Sequence, residues 1–105
     1  MPANTIKIKA QLDGGVTTVR ALISHAMETG QRKDAKTGQL IPAHFIQEVR
    51  AAHNGQPVLT AQWGPAVSKN PYLSFQFRGA KPGDKLTLSW VDNKGESDQI
   101  EVTLG

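Results

Sequence analysis

Residues 43–63 read Ala-His-Phe-Ile-Gln-Glu-Val-Arg-Ala-Ala-His-Asn-Gly-Gln-Pro-Val-Leu-Thr-Ala-Gln-Trp. Two foldings compete for the first half of this stretch. A helix would tolerate Ala51 and Ala52, but Pro42, Val49 and the Asn54-Gly55 pair favour a hairpin. Asn-Gly suits a type I′ turn, because both of its central residues need positive φ. The reading is therefore strand, turn, strand. Phe45, Val49 and Ala51 form one face, and Ile46, Glu48, Arg50 and Ala52 form the other. The return strand, Val58 to Trp63, brings Leu59, Ala61 and Trp63 together.

The same period of two runs outward in both directions. Ile6, Ile8, Ala10 and Leu12 alternate with Lys7, Lys9 and Gln11, giving one apolar and one wetted face. After Asp13-Gly14-Gly15, Val19, Ala21 and Ile23 repeat the pattern, with Leu22 on the polar side. Leu73, Phe75 and Phe77 follow, then Leu86, Leu88 and Trp90, then Ile100, Val102 and Leu104. Lys81-Pro82-Gly83-Asp84 fits a type II turn and Asp92-Asn93-Lys94-Gly95 a type I turn with a glycine bulge. About seven short strands with turn signals every 8–12 residues predict an immunoglobulin-like antiparallel β-sandwich. A small barrel is the structural alternative.

Two segments stand outside this pattern. From His25 to about Gln39 the chain is polar and glycine-punctuated, which predicts a long ordered loop with a tight turn at Thr37-Gly38. Trp63 to Phe75 is a connector by position, yet it holds Trp63, Val67 and Tyr72 between Pro65 and Pro71, with one charge, Lys69. Connectors are normally polar, so this one is either a crossover tucked under the domain or a docking surface.

With 105 residues the chain is one domain, 1–105. It has no cysteine, which leaves the redox compartment unreadable. A net charge of +3, with basic residues scattered, gives no nucleic-acid footprint. Arg32, Lys33 and Lys36 gather around Asp34 and read as a solvated loop. No stretch approaches the ~20 apolar residues of a membrane span, and Met1–Thr5 shows no secretory signal. Taken alone, that reads as cytoplasmic.

Catalytic chemistry is hard to find. Ser24 and His25 are neighbours on a strand and point to opposite faces. There is no nucleophile elbow and no phosphate-binding glycine loop. The carboxylates are expected in turns and on wet faces. His25, His44 and His53 sit at strand ends, at spacings that match no common zinc site. His25 and Met27 form a soft pair suited to copper(I), so a free-standing ligand or copper module is the alternative function. What asks for an explanation is misplaced apolar surface: Leu22, Ile46 and Val91 break onto polar faces, and the 63–75 connector adds Pro65, Val67 and Tyr72. With Met27, these are the candidate partner-binding residues.

Several motifs now bear on identity. Ala-Leu-Ile-Ser-His at 21–25, Met-Glu-Thr-Gly at 27–30 and Ile-Pro-Ala-His-Phe-Ile at 41–46 resemble the SoxZ family. Trp-Gly-Pro-Ala-Val-Ser-Lys-Asn-Pro-Tyr at 63–72 and Ser-Trp-Val-Asp-Asn-Lys-Gly-Glu at 89–96 do so as well. The resemblance covers nearly the whole chain. It implies an immunoglobulin-like, non-catalytic subunit of bacterial thiosulfate oxidation, with no cofactor of its own. The implied partner is SoxY, whose C-terminal Gly-Gly-Cys-Gly-Gly arm carries the sulfur intermediates covalently while other Sox enzymes load and process them. A chain without cysteine suits that division, since a second thiol would compete for sulfane sulfur by exchange. The resemblance also replaces the cytoplasmic reading with the periplasm, reached by co-export with SoxY. Surviving export as a complex calls for a contact of at least about 1,600 Å². On this expectation the outer apolar residues dock on SoxY, and the 27–38 loop meets the processing enzymes. Arg32, Lys33 and Lys36 would steer anionic adducts.

Overall fold

The structure, a computed structural model, describes residues 5–64, 67 and 69–104. The pattern of two becomes seven strands: β1 (Ile6–Asp13), β2 (Val16–Ile23), β3 (Ile46–His53), β4 (Gln56–Gln62), β5 (Tyr72–Arg78), β6 (Lys85–Asp92) and β7 (Ser97–Thr103). They form two antiparallel sheets, β1-β2-β5 and β4-β3-β6-β7, and no helix occurs among the described residues. The sandwich expectation holds. Asn54 and Gly55 both take positive φ, 49° and 83°, as the hairpin reading of 43–63 required.

The interior strands β2, β3 and β6 supply most of the core, because only they have a strand on either side. Val19, Ala21 and Ile23 meet Val49, Ala51, Leu86, Leu88 and Trp90 across the inter-sheet space. Edge-strand residues such as Ile8, Phe75, Phe77 and Ile100 are only partly buried against that cluster.

One face assignment changes. Ile46 was expected beside Glu48 and Arg50 on the wet face, but it is fully buried. Ile46 pairs with Asp92 and Glu48 with Val91, so Gln47 is an extra residue, a β-bulge. The bulge shifts the phase by one and turns Ile46 inward. Trp63 donates its amide to the Gln47 carbonyl at 2.8 Å, so the extra residue keeps a hydrogen-bond partner. A second register shift, at Ala51/Ala52, lets Pro57 lie in edge strand β4.

The long polar segment is not structureless. It folds back on itself as an irregular ribbon, with bridges at Glu28–His44 and Lys33–Leu40. Its tip closes where Asp34 donates to the Gln39 carbonyl and Gly38 to the Asp34 carbonyl, both at 2.8 Å. An eight-residue strand spans about 27 Å, whereas the molecule is 53 Å long.

Candidate functional site

Chemistry-bearing side chains collect at the end of the sandwich from which the ribbon emerges. Asp92 closes β6 there and is buried, with 2% of its surface exposed. This corrects the expectation that carboxylates lie in solvated turns. Its Oδ1 accepts the amides of Lys94 and Glu96, both at 2.9 Å, so the acid organises the turn into β7. Its Oδ2 accepts the Nε2 protons of His25 at 3.0 Å and His44 at 2.7 Å. Burial pushes the Asp92 carboxyl up, but the hydrogen bonds from His25, Glu96, His44 and Lys94 outweigh it and hold the group below its usual range.

His25 is placed by its surroundings. It stands edge-on to Trp90, with ring centroids 5.2 Å apart, and its Nδ1 accepts the Met27 amide at 3.1 Å. A backbone amide can only donate, so the His25 proton sits on Nε2, aimed at Asp92. Asn70 locks the outer side: its Oδ1 accepts the His25 amide at 3.1 Å and its own amide donates to the His25 carbonyl at 3.0 Å. Asn93 exchanges hydrogen bonds with Phe45 and donates to the Ala43 carbonyl at 2.9 Å. Three connections and two sheets are thus tied to one carboxylate.

Among the described residues, His25, His44 and Asp92 also come close enough to hold a metal, with ligand atoms within 4.8 Å of one another. The donor chemistry argues against one. A metal-bound imidazole normally donates its second nitrogen proton to an acceptor, but Nδ1 of His25 faces a donor. A metal on Nε2 would require an imidazolate there. The cluster fits a hydrogen-bonded hub. His53, by contrast, lies at the other end and pairs with Asp84 at 2.7 Å.

The candidate partner residues do not form one patch. Met27 is buried, and its sulfur accepts the Ile46 amide at 3.4 Å. Met27 and Ile46 therefore belong to the core of the isolated chain, not to its exposed surface. Val67 is partly buried and packs against the core, as does Trp63. Pro65 lies outside the described residues. Three candidates are exposed. Leu22 and Tyr72 are cross-strand partners on the outer face of the three-stranded sheet, exposed by 39% and 61%. Val91 lies on the outer face of the opposite sheet, next to Glu48 and Ser97 in register, beside a groove of about 640 Å³. Leu40, near the ribbon tip and 58% exposed, was missed. Its signal was the apolar pair Leu40-Ile41 directly after the polar segment.

Of the ribbon cations, Arg32 is committed to Glu28, donating from Nε and Nη2 to both carboxylate oxygens at 2.7–3.2 Å. That bond lowers the Glu28 carboxyl, with Lys69 adding a smaller pull.

The fold and site define an immunoglobulin-like sandwich whose buried His25 and Asp92 hold its own loops and which keeps Leu22, Tyr72 and Val91 exposed on its outer faces. The family model described as sulphur oxidation protein SoxZ matches residues 6–103, so the chain belongs to the SoxZ family, the non-catalytic carrier subunits of sulfur oxidation. No curated protein matches the chain. Among solved structures it is similar to a hypothetical protein of Pyrococcus horikoshii OT3, with TM-score 0.63 and 17% identity over 97% of this chain and 88% of the other. It is also similar to the superoxide reductase of Nanoarchaeum equitans, with TM-score 0.66 and 12% identity over 95% and 91%. A further superoxide reductase, in the oxidized state, gives 0.59 and 19% over 96% and 87%. At these identities the likeness is one of fold alone.

Proposed function

We propose that this chain is the non-catalytic half of a heterodimeric sulfur carrier. It pairs with SoxY, whose C-terminal cysteine bears the sulfur intermediates, and it presents that carrier to the enzymes that load and process the cargo. The family match over residues 6–103 carries this reading. The side chains agree with it: there is no cysteine to compete for the sulfur, and both His25 nitrogens are already engaged. The chain needs no metal or cofactor of its own and performs no turnover alone. Its place of work is the periplasm, where the pathway it resembles operates.

The test is reconstitution. Mixed with SoxY, the chain should elute from size exclusion as a stable complex, and thiosulfate consumption should require SoxY and the loading enzymes. Turnover of thiosulfate by the chain alone, or failure to form the complex, would overturn the reading. Periplasmic location is checked separately, by fractionating cells that express both subunits.

A further inference from the structure

The two sheets of the sandwich differ by one strand, three against four. At one edge they come together, because β1 and β7 approach each other closely. At the other edge β4 and β5 do not make a comparable approach. With the sheets aligned along β1 and β7, β4 is the strand left without a counterpart among the described residues. The place beside β5 and above β4 is one strand wide, since neighbouring strands lie about 4.8 Å apart.

The backbone along this gap has a definite polarity. Ile23 donates its amide to the Pro71 carbonyl at 3.0 Å, so Pro71 faces β2. Amide and carbonyl groups alternate sides along an antiparallel strand. Leu73, Phe75 and Phe77 therefore also turn theirs to β2, while Tyr72, Ser74, Gln76 and Arg78 turn theirs to the open edge. Among the described residues no strand pairs with that edge. The side chains lining the gap are apolar and only partly buried: Leu73, Phe75 and Phe77 from β5, Leu59, Ala61 and Trp63 from β4 and its end.

Exposed edges are normally blunted by charge, proline or bulges. β1 carries Lys7 and Lys9, β7 carries Asp98 and Glu101, and β4 carries Pro57 and a bulge at Val58. β5 has none of these before Arg78, and its seven residues pair with β2 in unbroken register. Charge supplies a further clue. Residues 54–83, which contain both strands of the gap, include Lys69, Arg78 and Lys81 and not one Asp or Glu.

We propose that the open β4–β5 edge receives one extended strand of a partner polypeptide, with apolar residues at every second position and acidic residues flanking them. The added strand pairs with the outward backbone groups of β5 and seats its apolar side chains over β4, completing a four-on-four sandwich. A symmetric pair of copies joined through this edge does not fit. Twofold pairing of β5 with β5 would carry the copy's own overhanging β4 into the space held by this chain's β3 and β4. The inference stands on edge geometry and goes beyond the identity of the partner given above.

Amide hydrogen exchange followed by NMR tests it. The chain is measured alone, with SoxY, and with a probe peptide, Glu-Glu-Val-Thr-Val-Thr-Val-Glu-Glu. In the complex the amides of Tyr72, Ser74, Gln76 and Arg78 should slow by more than about tenfold, while those of Leu73, Phe75 and Phe77 are protected in both states. A SoxY complex that leaves the four outward amides at their free rates overturns the proposal and leaves the carrier reading standing. If no SoxY complex forms, the carrier reading falls and the peptide decides: protection of the same four amides upholds the strand site, and no change at millimolar peptide overturns it. Ser74→Pro gives an independent check, because it removes an outward N–H without touching the β2 ladder. A folded S74P chain that binds the partner as tightly as the parent overturns the proposal.

Discussion

Nε2 of His25 lies 3.0 Å from Oδ2 of Asp92, across 67 residues of sequence and in a site closed to water. The same oxygen takes His44 at 2.7 Å, so one carboxylate joins the end of β2, the start of β3 and the end of β6. Asp92→Asn keeps the size but replaces a charged acceptor by an amide that must turn donors toward donors. Hydrogen bonds to a charged group contribute about 1.5–3 kcal/mol, and a loss of at least that size is expected in urea unfolding at neutral pH. A midpoint equal to that of the parent would show that the hub is dispensable.

Acid should weaken the fold from both ends of the sandwich. Asp84 is lowered to about 2, mainly by the His53 hydrogen bond and then by the Lys81 amide and Asn54, and Asp92 is lowered as well. A carboxyl depressed in the folded state stabilises it above the unfolded value of about 3.9 and loses that contribution as pH falls through the folded value. Stability should therefore drop between about pH 5 and pH 2. Asp84→Asn should flatten this slope, and an unchanged slope in that variant would assign the acid sensitivity elsewhere.

Burial separates the apolar residues that break the strand pattern. Ile46→Ala should cost about 2–5 kcal/mol, the range for truncating a fully buried side chain. Leu22→Ala and Val91→Ala, at exposed positions, should change stability by no more than about 0.5 kcal/mol. Equal effects in thermal or urea unfolding would mean that the Gln47 bulge does not set the face of Ile46.

Leu22 and Tyr72 share the outer face at the β5 edge, whereas Val91 is on the far side of the molecule. The pair Leu22→Ser and Tyr72→Ser should weaken SoxY binding by about tenfold, or about 1.4 kcal/mol, with the fold unchanged. Val91→Ser should not. Calorimetric titration distinguishes them, and the reverse order would move the contact to the four-stranded sheet.

The tautomer of His25 offers a direct check on metal chemistry. Long-range ¹⁵N correlation should show the proton on Nε2, and titration with Zn²⁺ or copper(I) should give no binding tighter than about micromolar. Tight binding that vanishes in His44→Ala would convert the hub into a metal centre.

Much of the architecture was legible because the signals that specify it are local. Alternation along Ile6–Leu12 or Leu73–Phe77 marks a strand face within a few residues, and Asn54-Gly55 encodes its turn through the φ values that only a few residue types accept. The exposed positions of Leu22 and Val91 followed from the same phase. The SoxZ motifs were also readable, since they are runs of contiguous residues. Tertiary structure alone decided the rest. Ile46 is buried because the register with β6 demands an extra residue at Gln47, and a register belongs to a pair of strands. His25, His44 and Asp92 meet because three strand ends converge, and separations of 48 and 67 residues leave no trace in either period or spacing. The connector from Trp63 to Tyr72 resolves in the same way. Trp63 and Val67 pack inward, Tyr72 faces out, and the physical reason is which side of a strand or loop finds a core to cover.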